Sequence, residues 1–272
     1  MGAVNPYAEA VDHGPVRFLH RLNPLSKLFA PLPAMVLVIL TRDVGTPLAF
    51  ILLAMVLLLI GAHLDGRLAL MLFVALPLAV AFLSLSFGIW TDRERVPVSD
   101  DVFSLGDYAF TTEMWLAGLG TALRLGAVLV LGLVAGATST GAELVRSLVQ
   151  QLRVPYRIGY TALAAFRFVP RFGHELEVIR SAHRVRGMIG GRGPVAGARR
   201  YLGYVVPLLA GAIRHAERIA LAMDARAFGA HPTRTERHIV PFRARDWVFI
   251  ALFWAATAAI VLTAPHLGLE TP

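Results

Sequence analysis

The chain has 272 residues, 56% of them hydrophobic and 16% charged, against about a quarter charged in soluble domains, which indicates a protein embedded in lipid. Its net charge of +8 is concentrated, with 18 of the 26 basic residues between residues 143 and 245, and this pattern indicates membrane topology rather than a nucleic-acid-binding surface. The absence of cysteine excludes disulfides, thiolate catalysis and cysteine metal sites.

Residues 1–26 are polar and mixed, without the short apolar core of a secretory signal. Arg17, Arg21 and Lys27 precede the first apolar run, which predicts a cytosolic N-terminus. Lys27 is the single lysine and lies outside the Gly-Lys-Ser/Thr context of a Walker A loop, so the chain itself is not a P-loop ATPase.

Five apolar segments are predicted to cross a membrane, since about 20 apolar residues span its hydrocarbon core. The third segment has a predicted kink at Pro77, and the fourth carries Arg124 near its middle. An arginine at the bilayer centre costs about 2.5–3.5 kcal/mol on insertion scales, so Arg124 is predicted to face protein or water. It serves either as an internal structural tie or in substrate passage or partner contact. The segments are residues 28–41, 46–62, 68–90, 114–137 and 247–264.

The loops between these segments assign the two sides of the membrane. Residues 91–113 hold six acidic residues and two arginines, which predicts an external loop. Residues 140–245 are basic and amphipathic, which predicts a cytosolic module. The fold class is therefore all-α, a polytopic membrane protein with about five transmembrane helices and a cytosolic module of amphipathic helices. The predicted domains are a cytosolic N-terminal segment (1–27), transmembrane helices 1–4 (28–137), the cytosolic module (138–245), and the last transmembrane helix with its tail (246–272).

The cytosolic module is predicted to contain several amphipathic helices. Residues 140–143 have capping-box spacing, and apolar residues then recur at helical spacing in three runs, the first ended by Pro155 and the second broken by Pro170. A long helix is predicted from about Val195, interrupted by Pro207. Gly187 is a predicted helix stop because glycine accepts positive φ.

Two of these helices end at an arginine. Arg184 and Arg186 precede Gly187, and Arg226 lies between Ala225 and Ala227. An arginine at a helix C-terminus gains about 0.3–1 kcal/mol from the macrodipole, and its planar fork can grip partner carboxylates or carbonyls with two hydrogen bonds. The two ends are predicted to dock partner proteins. The simpler interpretation is that they are ordinary helix-terminal cations in an arginine-rich cytosolic segment.

Four stretches resemble the transmembrane T component of energy-coupling factor (ECF) transporters, a class of ABC importers. Residues 19–24, Leu-His-Arg-Leu-Asn-Pro, are similar to the N-terminal Leu-His-Arg-Leu-Asp-Pro signature, and residues 166–170, Phe-Arg-Phe-Val-Pro, to the segment before the first coupling helix. Residues 182–187 and 222–228 resemble the two Ala-Arg-Gly motifs of that family. Here Val185 stands where the family often has alanine, and Ala227 replaces the glycine.

The resemblance implies a non-catalytic coupling subunit in the cell membrane, with no cofactor, no metal and no nucleic-acid partner. Each coupling helix would dock one of two ABC ATP-binding subunits, through Arg184, Arg186 and Gly187 at one end and Ala225, Arg226 and Ala227 at the other. A small substrate-binding membrane protein, the S component, would lie against the amphipathic helices. Vitamin or metal-ion uptake is the implied function. The alternatives are a stand-alone membrane transporter, which would normally show internal repeats, and a membrane-embedded enzyme, which would need intramembrane carboxylates or histidines.

Overall fold

The computed structural model describes residues 17–41, 43–91, 101–105, 108–187, 193–232, 235–236 and 238–263. Residues 92–100 and 106–107 of the predicted external loop, and the side chain of Arg167, lie outside the described residues. The described part of the chain forms a 3-10 turn (Phe18–Arg21), nine helices and one two-stranded sheet. The helices are α1 (Pro24–Phe29), α2 (Leu32–Leu40), α3 (Gly45–Gly61), α4 (Gly66–Trp90), α5 (Thr112–Thr138), α6 (Gly141–Gln151), α7 (Tyr156–Val185), α8 (Pro194–Asp224) and α9 (Ala244–Thr263).

The architecture confirms an all-α membrane protein. Within the described residues, three helices are long and apolar enough to span a membrane: α4, α5 and α9. Two shorter apolar helices, Pro24–Leu40 (α1 with α2) and Gly45–Gly61, lie where the first two spans were predicted. The chain divides into two compact units. We call residues 10–140 with 240–272 the membrane unit, and the unit that contains residues 141–239 the amphipathic unit.

Helix α5 is the centre of the membrane unit and packs against α1, α2, α3 and α4. Its fully buried face carries Ala127, Val130, Leu131 and Val134, and the opposing helices contribute Phe50 among others. Large apolar side chains on the outer faces of the other helices are exposed, as lipid-facing positions require. Together these features give a helical core with an apolar exterior.

The helical ladder of α4 is irregular just before Pro77, where a kink was predicted. Residues Met71–Ala75 form a π-helical turn, and the Leu76 N–H donates to the Met71 carbonyl. Proline has no N–H to donate to the carbonyl four residues before it, so the hydrogen bonds of the preceding turn rearrange.

Strands β1 (Asp101–Leu105) and β2 (Tyr108–Thr111) pair antiparallel directly before α5. This hairpin lies within residues 91–113, for which no strand was predicted. β-Branched and aromatic residues, which favour strands, are present in both strands, but the segment was interpreted from its charge.

One end of the membrane unit gathers segments that are distant in sequence. Arg17 donates to the Ala62 carbonyl at 3.1 Å, and the His63 N–H donates to His20 Nε2 at 3.0 Å. The Lys27 ammonium donates to the Thr138 carbonyl at 2.7 Å. An even number of crossings must separate segments that meet at one end, and two predicted spans lie between residues 27 and 62 and two between 62 and 138.

The amphipathic unit is built from α6, α7 and α8. Helices α6 and α7 pack so closely that a Cβ placed on Gly159 would overlap the Val149 side chain. Helices α7 and α8 run antiparallel: His183 meets Tyr204 at 5.1 Å, Phe168 stacks on His215 at 4.5 Å, and Tyr156 meets Phe228 at 5.7 Å between ring centroids.

The predicted breaks at Pro170 and Pro207 were wrong, because α7 and α8 each run through their proline. An interior proline costs about 3 kcal/mol in a helix, but it removes only one hydrogen bond of the ladder. Around Pro170 the helix is held by aromatic contacts that bracket the proline: Phe168 packs on Phe172 at 4.4 Å and on His215 of α8. Packing between the two long helices thus keeps each of them continuous.

Candidate functional site

The first arginine-bearing end is the C-terminus of α7. The helix ends at Val185, and Gly187 has a φ of +68°, with its N–H donating to the Arg184 carbonyl at 3.0 Å. A Cβ on Gly187 would meet nothing within 4 Å, so glycine is not needed here for lack of space. It is favoured because the backbone is left-handed at this position. Arg184 and Arg186 are exposed, and the Arg184 guanidinium donates to Ser181 Oγ at 3.1 Å.

The second end, at the C-terminus of α8, closes in the same way. The helix ends at Asp224, and Ala227 has a φ of +53°. The Ala227 N–H donates to the Asp224 carbonyl at 2.9 Å and the Phe228 N–H to the Met223 carbonyl at 3.0 Å. These two bonds are the pair that defines a Schellman motif. Ala225, Arg226 and Ala227 are all exposed.

Arg186 and Arg226 therefore occupy the same structural position. Each directly precedes a residue in the left-handed conformation at the end of a long helix, and each is exposed. The N–H of that left-handed residue bonds to the carbonyl three residues before it at both ends. Gly187 ends its helix as predicted, and Ala227 adopts the glycine-type conformation without being glycine. The docking role of the six residues stays a prediction.

The second end is fastened to the start of α7. Tyr156 Oη donates to the His231 carbonyl at 2.6 Å, and Arg157 donates to the Gly229 carbonyl. The Phe228 ring packs edge-on against the Tyr156 ring. These contacts join residues more than 70 positions apart, and no local sequence pattern distinguished Tyr156 and Arg157.

The first end is held to the start of α8 by aromatic rings. The Arg180 guanidinium lies 5.9 Å from the Tyr201 ring centre and 6.0 Å from that of Tyr204, within the range of a cation–π contact. His183 meets the same Tyr204 ring edge-on. Each arginine-bearing end is thus supported by the opposite helix, which leaves the terminal residues free to contact a partner.

The membrane unit contains an apolar groove of about 490 Å³ between α3, α4 and α5. The side chains lining it include no carboxylate, imidazole or cation. Arg124 on α5 is half-buried, and its Nε makes no hydrogen bond to the described residues. Across the part of the chain that the structure describes, no three His, Asp or Glu side chains are grouped to hold a metal ion.

Comparison with known proteins gives a consistent set of relatives. The model of the CbiQ family, described as cobalt transport protein, matches residues 15–237. The energy-coupling factor transporter transmembrane protein EcfT of Limosilactobacillus fermentum is 27% identical over 250 residues, which cover 86% of this chain and 88% of that protein. EcfT of Lacticaseibacillus paracasei is 34% identical over 128 residues, 45% of this chain and 46% of that protein.

A further relative is longer than this chain. An ABC transporter ATP-binding protein of Bifidobacterium longum is 27% identical over 260 residues, which cover 92% of this chain and 32% of that protein. The chain therefore spans about a third of the Bifidobacterium protein and less than half of the Lacticaseibacillus protein. The two arginine-bearing ends and the long helix pair all lie within residues 15–237 of the family match.

Proposed function

The chain belongs to the CbiQ family of cobalt transport proteins and is a transmembrane component of an energy-coupling factor transporter, and from this premise we propose that it transmits ATP-driven motion between partner proteins. In this proposal two ATP-binding subunits supply the motion and a small substrate-binding membrane protein receives it, for uptake of a vitamin or a metal ion. The chain is a non-enzymatic transporter subunit, and ATP hydrolysis is assigned to the partner subunits.

The observation that carries the proposal is the pair of equivalent arginine-bearing ends. Helices α7 and α8 run antiparallel, so Arg186 lies at one end of the pair and Arg226 at the other. Both arginines are exposed and both precede a left-handed residue. Two related partner surfaces can therefore each receive the same local structure.

Six residues are assigned to the docking surfaces. Arg184, Arg186 and Gly187 form the first, and Ala225, Arg226 and Ala227 the second. The left-handed residue turns the chain sharply away from the helix axis, so the preceding guanidinium projects past the helix end. There it can form two parallel hydrogen bonds with a carboxylate of a partner groove.

The substrate-binding partner is assigned to the apolar face of the long helix pair. Several large apolar side chains on α7 and α8 are exposed although they lie outside the membrane unit. Exposed apolar area on this scale marks an interaction surface. A small hydrophobic membrane protein has the chemistry to cover it. The exposed side chains include Val169, Val178, Leu202, Val206, Leu209 and Ile213.

We place the N-terminus and the amphipathic unit on the cytosolic side of the cell membrane. Arg17, Arg21 and Lys27 lie at the end of the membrane unit that also holds the start of α9, where Arg245 donates to the Arg21 carbonyl. The positive-inside rule assigns such a cationic end to the cytosol.

Charge reversal at both helix ends tests the docking role. In the double variant Arg186→Glu/Arg226→Glu, each guanidinium becomes a carboxylate that repels its former acidic or carbonyl partner. We expect copurification of the ATP-binding subunits with the detergent-solubilised chain to fall at least about tenfold, which corresponds to about 1.4 kcal/mol. The amount of chain inserted in the membrane should stay unchanged.

The matched control is Arg171→Glu/Arg214→Glu, which makes the same change in charge at exposed positions in the middle part of α7 and α8. This control should retain the ATP-binding subunits. Full retention of those subunits by the Arg186→Glu/Arg226→Glu variant would refute the docking role, and equal loss in both double variants would show an effect of net charge alone.

A further inference from the structure

A buried polar cluster lies in the membrane unit where three helix ends meet. Its side chains are Asn23, Ser26, Lys27 and Asp246, with exposed fractions of 3%, 0%, 1% and 0%. They lie at the start of α1 and the start of α9, beside the last residues of α5. Among them are a lysine and an aspartate, the two kinds of group that are most costly to bury.

Asp246 joins the starts of two helices. Its Oδ2 accepts from the Arg243 N–H at 2.7 Å, which is the reach-back half of a capping box at the start of α9. Its Oδ1 accepts from the Asn23 N–H at 2.7 Å and from Ser26 Oγ at 3.3 Å. The Asn23 side chain in turn caps α1 by accepting from the Leu25 N–H at 2.9 Å.

Lys27 joins α1 to the end of α5. Its ammonium group donates to the Thr138 carbonyl at 2.7 Å, and Thr138 is the last residue of α5. The carbonyls of a final helical turn lack partners within the helix and carry the negative end of the helix dipole. The buried Lys27 ammonium gives one of these carbonyls a hydrogen-bond donor and places a positive charge at the negative end of the dipole.

The cluster holds both chain connections to the amphipathic unit. The outgoing connection leaves α5 at Thr138 and enters α6 at Gly141. The returning connection reaches α9 at Ala244, and the Asn23 amide donates to the carbonyl of Pro241 within it at 3.4 Å. Asn23 therefore contacts the returning connection, and Lys27, four residues later, contacts the residue from which the outgoing connection leaves.

Stability alone does not account for two buried charges at this point. Exchanging a buried ionic group for well-packed apolar side chains is often neutral or stabilising. The hydrogen bonds restrict the geometry of the junction, because each donor–acceptor pair holds a helix end within a narrow range of distance and angle. A fixed junction transmits a displacement that a loose connection would absorb.

We propose that residues 23–27 and Asp246 form a clasp that fixes both connections of the amphipathic unit to the membrane helices, so that movement of that unit is passed to those helices. Asn23, Ser26, Lys27 and Asp246 are positioning residues in this mechanism and do not contact a partner protein. The inference rests on the proposed function, since it assumes that partner subunits move the amphipathic unit.

The test uses two fluorescent reporters in the complex with its copurified ATP-binding subunits, in lipid nanodiscs. The chain contains no cysteine, so a single cysteine can be placed at Val36 on α2 or at Val195 on α8, both exposed. An environment-sensitive dye at each position reports on the membrane unit and the amphipathic unit separately. The probe is a nonhydrolysable ATP analogue, and no transported substrate is needed.

In the complex with an unaltered clasp, the fluorescence of both reporters should change when the analogue binds. In Asp246→Asn and in Lys27→Met we expect the ATP-binding subunits to remain bound and the residue-195 reporter to keep its response. The residue-36 response should fall at least about fivefold, because a buried polar group has lost its partner and the junction loosens. Unchanged responses at residue 36 in both variants would overturn the clasp.

A milder variant tests the clasp if the charge variants do not fold. Ser26→Ala removes one hydrogen bond to Asp246 and leaves both charges, and Ser84→Ala is its control, a buried serine on α4 outside the cluster. If the charge variants fail to insert, a residue-36 response that falls about twofold in Ser26→Ala but not in Ser84→Ala supports the clasp. An equal response in both serine variants contradicts it. If neither reporter responds in the wild-type complex, the proposed function is contradicted. The clasp is then contradicted too, because it rests on that function.

Discussion

Ala227 stands where the motif that this segment resembles has glycine, and it adopts a backbone conformation that favours glycine. It adopts a φ of +53° at the end of α8, as Gly187 adopts +68° at the end of α7. A left-handed conformation costs a residue with a Cβ about 1–2 kcal/mol relative to glycine. The hydrogen bonds of the Schellman motif, together with the Tyr156 and Arg157 contacts just beyond it, hold Ala227 in this conformation.

Ala227→Gly should therefore stabilise the second helix end. The gain is expected to be about 0.5–1 kcal/mol, because relief of the left-handed strain exceeds the added flexibility of the unfolded chain. Slower amide hydrogen exchange over residues 225–230 is the measurement. Gly187→Ala is the reciprocal variant, and exchange near residue 187 should become faster by a similar free energy. Faster exchange in Ala227→Gly would contradict the assigned strain.

Residue-scale prediction from the sequence worked where the signal was local. Arg186 followed by Gly187 marks a helix end, and the structure ends α7 there. The contacts of Tyr156 with His231, and of Asp246 with Asn23, join residues 75 and 223 positions apart. Such contacts have no local periodicity, so a single sequence gives no sign of them.

At the scale of helices, α4 and α5 approach so closely that backbone lies against backbone. A Cβ built on Gly118 would overlap the Ser84 carbonyl oxygen and lie 2.5 Å from the Gly88 nitrogen. Both of those neighbours are backbone atoms, which do not move aside as a flexible side chain would. Small residues allow this approach, as in other membrane helix pairs.

Gly118→Ala should destabilise the membrane unit. Overpacking typically costs about 1–3 kcal/mol, and here the added methyl group meets backbone. The measurement is the temperature at which half of the detergent-solubilised chain has lost its helical circular dichroism. Gly136→Ala on the same helix is the control, because a Cβ there meets nothing within 4 Å. That control should be neutral or stabilising by up to about 1 kcal/mol. Similar melting temperatures for both variants would refute the close packing.

The sequence predicted the positions of the membrane helices well, but it wrongly predicted breaks within the two long amphipathic helices. Uninterrupted apolar runs placed α3 and α5 within two residues of the structure, because lipid selects for such runs. Pro170 and Pro207 predicted helix breaks, because proline cannot donate a backbone hydrogen bond. The helices nevertheless continue through both prolines, and aromatic contacts between α7 and α8 hold them together on either side. The strands before α5 were missed because that segment was interpreted from its charge and not from its β-branched and aromatic residues.

At the scale of the whole molecule, residues 17–27, 62–63 and 138 meet at one end of the membrane unit. These segments share one side of the membrane whichever way the chain is oriented. The proposed orientation places this end in the cytosol, in agreement with the positive-inside rule. Strands β1 and β2 precede α5, whose opposite terminus reaches this end, so the same proposal places the strands outside the cell.

Cysteine labelling in intact cells tests that orientation. His63→Cys and Val195→Cys should be protected from a membrane-impermeant maleimide, whereas Val102→Cys should react. Lysed cells should label all three, which controls for accessibility. Reaction of His63→Cys and protection of Val102→Cys in intact cells would invert the topology.

The antiparallel pairing of α7 and α8 also limits what can bind both arginines at once. Helix α7 has 30 residues, so it measures about 45 Å from the bracing contact of Tyr156 to the tip at Arg186. A small globular domain is only about 30 Å across. A domain of that size is too narrow to touch both arginines. If both arginines bind partners at once, as we propose, the helix pair must contact two bodies side by side or one body with two lobes.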